Sequence, residues 1–86
     1  MLWSWELKPT TESSLADFDL LKRHQIIEKL DWLAINFDSL APVSLKGELK
    51  EFFKLRVGDI IIFYKVDWRA NKIIVCYIAK RDKAYQ

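Results

Sequence analysis

The second half of the chain alternates apolar and polar residues with a period of two, and this feature most restricts its fold. From residue 45 onward the alternation predicts three strands, over residues 48–57, 60–67 and 72–79. Gly58-Asp59 and residues 68–71 supply the turns between them. The middle strand is almost continuously apolar, which is typical of a strand covered on both faces in its first half. Short turns between successive strands indicate an antiparallel meander.

Positive charges occupy one face of the first of these strands. Because side chains alternate between the two faces of a strand, three cations should project from one side: Lys50, Lys54 and Arg56. Apolar residues at positions 53, 55 and 57 should project from the other. A second cationic group ends the chain, with a tyrosine just after it: Lys80, Arg81, Lys83 and Tyr85. A row of cations is costly unless it meets solvent or an anion, so we expect the two groups to converge on a polyanion, RNA in particular.

The spacing of apolar residues in the first half of the chain predicts a strand followed by a helical region. Residues 2–8 alternate as a short strand does, and Pro9 ends it because proline offers no hydrogen-bond donor. Residues 11–37 have helical spacing and form one long helix or two short ones, with a break at Asp19. The apolar stripe includes Ile26, Ile27, Leu30, Leu33 and Ile35 or Phe37, and Trp32 is expected in the core. Residues 41–43 are read as a connector. The order β-α-α-β-β-β predicts an α+β fold, a curved antiparallel sheet with helices on one side.

Composition restricts the class of protein further. The 86 residues suit one domain over 1–86, and the single cysteine, Cys76, excludes an internal disulfide. No run reaches the length of a membrane span and the start lacks a signal-peptide pattern, so a cytoplasmic protein is expected. The lone histidine, His24, lies in a charged helical patch and is not expected to be catalytic. Residues 1–44 carry four Lys/Arg and seven Asp/Glu, a net −3, whereas residues 45–86 carry ten and five, a net +5.

Several motifs of the chain resemble the RelE/ParE toxin superfamily of type II toxin–antitoxin modules. The family pattern is roughly LKG, then KLRVGDYRIIY, then a His-Arg-type pair followed by a tyrosine. The matching segments here are residues 45–47, residues 53–59 with Tyr64, and Lys80-Arg81 with Tyr85. The match at residues 54–59 is specific, whereas residues 45–47 on their own are a weak signal. The strand–helix–helix–three-strand order fits the same family over nearly the whole chain.

The resemblance implies a toxin that enters the ribosomal A site and cuts mRNA, with no metal or other cofactor and no membrane. The ribose 2′-hydroxyl attacks the adjacent phosphate, which requires a base, cations around the phosphorane and an acid. By position, the resemblance assigns catalytic roles to four residues: Lys54, Arg56, Arg81 and Tyr85. It makes four lysines RNA contacts: Lys46, Lys50, Lys80 and Lys83. It also implies a cognate antitoxin, whose acidic segment would cover the cationic face.

The sequence departs from the family at Ile60 and Ile61, where the family has tyrosine and arginine. Loss of a fixed cation from a phosphoryl-transfer site costs about two to three orders of magnitude in rate. Three hypotheses therefore stay open. The chain is a ribosome-dependent endoribonuclease, a ParE-like inhibitor of DNA gyrase, or a catalytically weakened relative that acts by binding only.

Overall fold

The computed structural model describes residues 2–40 and 51–80, together with the backbone of residues 43–44. Its helices and strands follow one another in this order: β1 (Ser4–Leu7), α1 (Pro9–Ala16), α2 (Leu20–Asn36), a 3₁₀ turn (Phe37–Ser39), β2 (Val43–Ser44), β3 (Phe53–Val57), β4 (Ile60–Asp67) and β5 (Lys72–Lys80). The strands form one five-stranded sheet in the order β1-β5-β4-β3-β2. The predicted α+β architecture, with an N-terminal strand, a helical hairpin and a three-stranded meander, is confirmed.

The helical region consists of two helices, and the break lies where Asp19 stands. The Asp19 carboxylate caps α2 by accepting a hydrogen bond of 2.8 Å from the backbone N–H of Lys22. The first helix begins two residues before the predicted start at residue 11, because Pro9 itself occupies its first turn. Proline suits that position, where its fixed φ is helical and its missing N–H would have no helical partner.

The core lies between one face of the sheet and α2. Four residues of α2 and its extension recur at helical spacing and are almost fully buried: Ile26, Leu30, Leu33 and Phe37. They face a set of strand residues that is equally buried: Ile60, Ile62, Tyr64, Ile73, Val75 and Ile78. Of the alternatives left open by the sequence, Phe37 is in the core and Ile35 is 82% exposed. Trp32 was expected in the core and is 41% exposed, with the Lys29 Nζ 3.9 Å from the centre of its ring.

The sheet is mixed, which corrects the expectation of a purely antiparallel one. Strand β1 runs parallel to β5, with Ser4 opposite Lys72 and Leu7 opposite Val75. Two tryptophans, Trp3 just before β1 and Trp5 within it, tie this strand to the helical region. The Trp3 indole donates to Asp38 of the 3₁₀ turn and the Trp5 indole to Asp31 of α2, each at 2.8 Å. Both helices and three strands separate β1 from β5 along the chain, so no tight turn, which would force an antiparallel pair, joins these two strands.

Two boundaries also differ from the sequence-based expectation. Val43, read as the end of the connector, and Ser44 form the short strand β2, which pairs antiparallel with the start of β3. The ladder of β3 begins at Phe53, because Glu51 and Phe52 precede it without strand geometry. Residues 48–50 of the predicted strand lie outside the described residues.

A bulge in β5 reverses which face its side chains occupy. Phe63 pairs with Tyr77 and the next residue, Tyr64, pairs with Val75, so Cys76 is an extra residue in β5. Val75 faces the core, and without the bulge Tyr77 would face it too. With the bulge, Tyr77 lies on the opposite face and is 62% exposed. The Cys76 thiol is buried, as expected of a thiol in a strand.

Candidate nucleic-acid interface

The side of the sheet away from α1 and α2, which we call the open face, carries the cations of β3. Phe53, Leu55 and Val57 pack against the core clusters, so the residues between them must point the other way. Lys54 and Arg56 are those residues. The structure thus confirms the predicted alternation for this pair and places both cations on the face that the helices leave uncovered.

Arg56 is exposed and held over the turn that follows it. Its Nε donates a hydrogen bond of 3.0 Å to the carbonyl oxygen of Gly58. Gly58 has a φ of +59°, a left-handed conformation that favours glycine. A guanidinium carries five N–H donors, so this bond orients the group while others can reach an anion. Arg56 is therefore positioned for bidentate contact with a phosphate.

The turn is itself fixed to helix α2. The Lys22 Nζ lies 3.1 Å from the Asp59 carboxylate, and this hydrogen bond is the main reason that the pKa of Asp59 is lowered. The charge of Lys80 lowers that pKa further, by a smaller amount. Because the turn joins β3 to β4, the ion pair steadies the end of the strand from which Arg56 projects.

The register across three strands defines what surrounds the two cations. Lys54 lies opposite Phe63, which lies opposite Tyr77 in β5. One step along, Arg56 lies opposite Ile61, which lies opposite Ala79. Side chains of paired residues share a face. The row that begins at Lys54 is therefore aromatic on β4 and β5, whereas the row that begins at Arg56 is aliphatic there.

Ile61, which stands where the family has arginine, is part of this face yet only 2% exposed. Its strand partner Arg56 is exposed and charged. Ile61 therefore contributes no positive charge to the open face. The prediction that β4 is covered on both faces in its first half holds, since Ile60, Ile61 and Ile62 are all buried.

An aromatic pair that the sequence reading did not single out borders the cations. The ring centres of Phe52 and Tyr77 are 6.2 Å apart, with the planes inclined by 47°. The Lys65 Nζ lies 4.8 Å from the centre of the Phe52 ring and 3.0 Å from the Glu51 carboxylate. The hydrogen bond that Lys65 donates to Glu51 is the main reason that the pKa of Lys65 is raised. The same bond holds the lysine against Phe52.

Lys80 does not share the open face with Lys54 and Arg56. It pairs with Ile60, which packs in the core, so its strand position is on the helix side of the sheet. There Lys80 borders a groove with Ser14, Asp17 and Phe18 of the α1 end. The remaining predicted site residues lie outside the described residues: Lys46, Lys50, Arg81, Lys83 and Tyr85.

Tyr64, one of the residues that carried the family resemblance, is a core residue. It is 1% exposed, and its ring stacks on Phe53 at 5.6 Å between centres. Burial raises its pKa to about 12. His24 pairs with Glu28 at 2.9 Å on the exposed side of α2, away from the cations. Within residues 2–40 and 51–80, no cluster of His, Cys, Asp and Glu could hold a metal ion.

The α+β fold, a mixed sheet with a helical hairpin on one face, is similar to that of solved RelE-like toxin structures. A chain of the toxin–antitoxin complex RelBE2 from Mycobacterium tuberculosis has a TM-score of 0.84 with this chain at 16% identity, covering 94% of this chain and 100% of that one. The archaeal RelE–RelB complex from Pyrococcus horikoshii gives 0.73 at 17%, covering 94% and 97%. The isolated E. coli RelE toxin gives 0.74 at 13%, covering 93% and 84%.

These likenesses show the RelE-like toxin fold that the motifs implied. At 13–17% identity these structures establish the fold of this chain and not its activity. No protein-family model matches the sequence, and no curated protein matches it. Among the described helices, none is long and apolar enough to cross a membrane.

Proposed function

We propose that this chain is the toxin of a type II toxin–antitoxin module and that it cuts mRNA on the ribosome in the cytoplasm. The observation that carries the proposal is the placement of Lys54 and Arg56 side by side on the open face. The RelE-like fold supports it, since three solved structures of that fold are of a named toxin or of toxin complexes. A fold with a cationic, helix-free face suits a substrate that is a flexible polyanion.

The proposed reaction uses the RNA's own nucleophile. The 2′-oxygen bonds to the adjacent phosphorus, its proton passes to a base, and the bond to the 5′-oxygen breaks as that oxygen takes up a proton. The products are a 2′,3′-cyclic phosphate and a free 5′-hydroxyl. Arg56, oriented by Gly58, and Lys54 would stabilise the extra negative charge that develops on the phosphorane. By resemblance, Arg81 would act as clamp or proton donor and Tyr85 would stack or transfer a proton.

The remaining predicted cations would hold the RNA backbone. Lys46, Lys50 and Lys83 keep this role by resemblance. Lys80 would act from the end of β5, at the rim of the sheet, because its strand position is on the helix side.

A cognate antitoxin is the second proposed partner. The Mycobacterium tuberculosis and Pyrococcus horikoshii structures are complexes of RelE-type toxins with RelB-type antitoxins. The net charge of +5 over residues 45–86 favours an acidic segment that covers the open face. Coexpression with the product of a small neighbouring reading frame should then abolish any growth arrest.

The experiment that tests the proposal is induced expression followed by primer extension on a message that is either translated or deprived of its start codon. We expect cuts within the translated message and none in the untranslated one. The variant Lys54→Ala/Arg56→Ala should lose cutting, whereas the matched control Lys8→Ala/Lys29→Ala, with both changes outside the open face, should retain it. Growth arrest with an intact message, or equal cutting by both double variants, would contradict the proposal.

Inhibition of DNA gyrase is the second candidate function, and the buried Ile61 favours it, because the family's nuclease arginine is replaced there. A supercoiling assay with purified gyrase separates the two. Inhibition that survives Lys54→Ala/Arg56→Ala, with intact mRNA, would establish the gyrase function. A chain that acts by binding only would give neither effect and would still bind its antitoxin.

A further inference from the structure

We infer that Tyr77 is a stacking platform for a base of single-stranded RNA on the open face. This rests on the proposed function and adds a specificity-determining contact to it. The geometry that points to it is an exposed aromatic ring in the interior of the sheet, in the same cross-strand row as Lys54.

The position of Tyr77 is created by the bulge at Cys76. Without that extra residue the ring would share the core face with Val75. With it, the ring stands on the open face of β5, a strand with neighbours on both sides, and 62% of the residue is exposed. A large ring at such a position exposes apolar surface that a flat ligand can cover.

An aromatic and charged cluster lies beside the Tyr77 ring. The Tyr77 ring makes a tilted contact with Phe52, which in turn contacts Lys65, itself paired with Glu51. The ring is therefore in contact with its own chain while 62% of the residue stays exposed. A pre-ordered ring loses little conformational freedom when a base stacks on it.

The spacing suits a nucleotide chain. Neighbouring strands lie about 4.8 Å apart, so Lys54 and Tyr77, two strands from each other, have backbones roughly 10 Å apart. A single strand whose phosphates meet Lys54 and Arg56 can turn a base towards β5 and lay it on Tyr77. Proteins that read unpaired RNA combine a cationic groove with aromatic rings in this way, and each stacked base contributes appreciably to binding.

The test is binding of a labelled single-stranded oligoribonucleotide to the purified full-length chain, measured by fluorescence anisotropy. Tyr77→Ala should weaken binding about 10-fold, within a range of roughly 5- to 150-fold. Tyr77→Phe should keep parental affinity because it keeps the ring. The control Ile35→Ala removes an exposed apolar side chain of α2 and should change nothing.

A stacking contact also predicts how affinity depends on salt and on the bases. Tyr77→Ala should leave the slope of log affinity against log salt unchanged, whereas Lys54→Ala should reduce it by about 0.7 for one lost phosphate contact. Abasic sites in the oligoribonucleotide should weaken binding by the parent and have no effect on Tyr77→Ala.

Three results would overturn the inference: parental affinity in Tyr77→Ala, no detectable binding by the parent at low salt, or equal affinity for intact and abasic strands. Equal affinity for intact and abasic strands would indicate that the open face binds polyanions in general, including acidic peptides. Because the assay contains no ribosome, its outcome is separate from that of the cleavage experiment. Ring-dependent binding without cleavage would support the inference and count against the proposed function. Cleavage by the parent together with parental affinity in Tyr77→Ala would refute the inference and leave the proposed function standing.

Discussion

Replacing Ile61 with arginine restores the cation that the family pattern has at this position. Ile61 lies on the open face, directly across from Arg56 and one residue pair away from Lys54. If these cations handle phosphate as proposed, the new guanidinium would complete a cluster of three. Ile61→Arg should therefore raise the rate of mRNA cleavage.

The substitution should have two opposing effects, a gain in cleavage rate and a loss of stability. A fixed cation at a phosphoryl-transfer site contributes about 10²- to 10³-fold in rate, and repulsion from the adjacent Arg56 places the expected gain towards the lower figure. The cost falls on stability, because Ile61 is 2% exposed. Burial of an isoleucine side chain is worth about 1.5–3 kcal/mol, part of which the methylene groups of arginine retain. We expect the free energy of unfolding to fall by about 1–2 kcal/mol.

The assay compares Ile61→Arg with Ile61→Gln, which has a similar length and no charge. Both should lose comparable stability in urea unfolding, while only the arginine variant should gain cleavage of a translated message by primer extension. Equal cleavage by the two variants would refute the reasoning that a missing charge limits the site. So would a gain in cleavage that persists when Lys54 and Arg56 are both replaced by alanine.

Three further predictions concern stability and titration. Leu30→Ala, at a position that is 0% exposed, should lower the free energy of unfolding by about 2–5 kcal/mol, whereas Leu21→Ala, at 68% exposure, should change it by less than about 0.5 kcal/mol. Tyr64 should ionise near pH 12, two units above an ordinary tyrosine, so its contribution to stability is complete below about pH 10 and is lost as the pH rises through 12. Ultraviolet titration should lose the transition near pH 12 in Tyr64→Phe; a transition near pH 12 that remains in this variant would contradict the assignment. Because the pKa of Asp59 is lowered from 3.8, its ion pair with Lys22 stabilises the fold above about pH 4 and is lost on further acidification, so Asp59→Asn should flatten the acid limb of stability.

The meander and the helical stripe could be predicted from local patterns because both follow from one side chain's position relative to the next. The periodicity of Ile26, Leu30 and Leu33 identifies the buried side of α2 without knowledge of what it packs against. The alternation of Lys54 and Arg56 with apolar neighbours likewise fixes their common face. These features are encoded within a few residues of each other.

What the sequence could not predict depends on partners that are distant along the chain. The parallel pairing of β1 with β5 joins residues almost seventy positions apart. The bulge at Cys76 has no local sequence signal, since Ile73, Val75 and Tyr77 read as one face until the pairing with β4 is known. That single extra residue moves Tyr77 onto the open face, and Lys80 pairs with core-facing Ile60 instead of joining Lys54. The exposed position of Tyr77 on the open face therefore follows from the strand pairing and not from the local sequence.

The most direct test of the account is a reconstituted translation reaction in which the purified chain meets a defined message. The message is supplied either free or held on ribosomes, and the ends of any fragments are determined. We expect cuts only in the ribosome-bound message, with a 2′,3′-cyclic phosphate on one fragment and a 5′-hydroxyl on the other, and no cuts by Lys54→Ala/Arg56→Ala. A message that stays intact on the ribosome, or one cut equally by that double variant, would contradict the claim that the open face of the sheet is an RNA-cleaving surface.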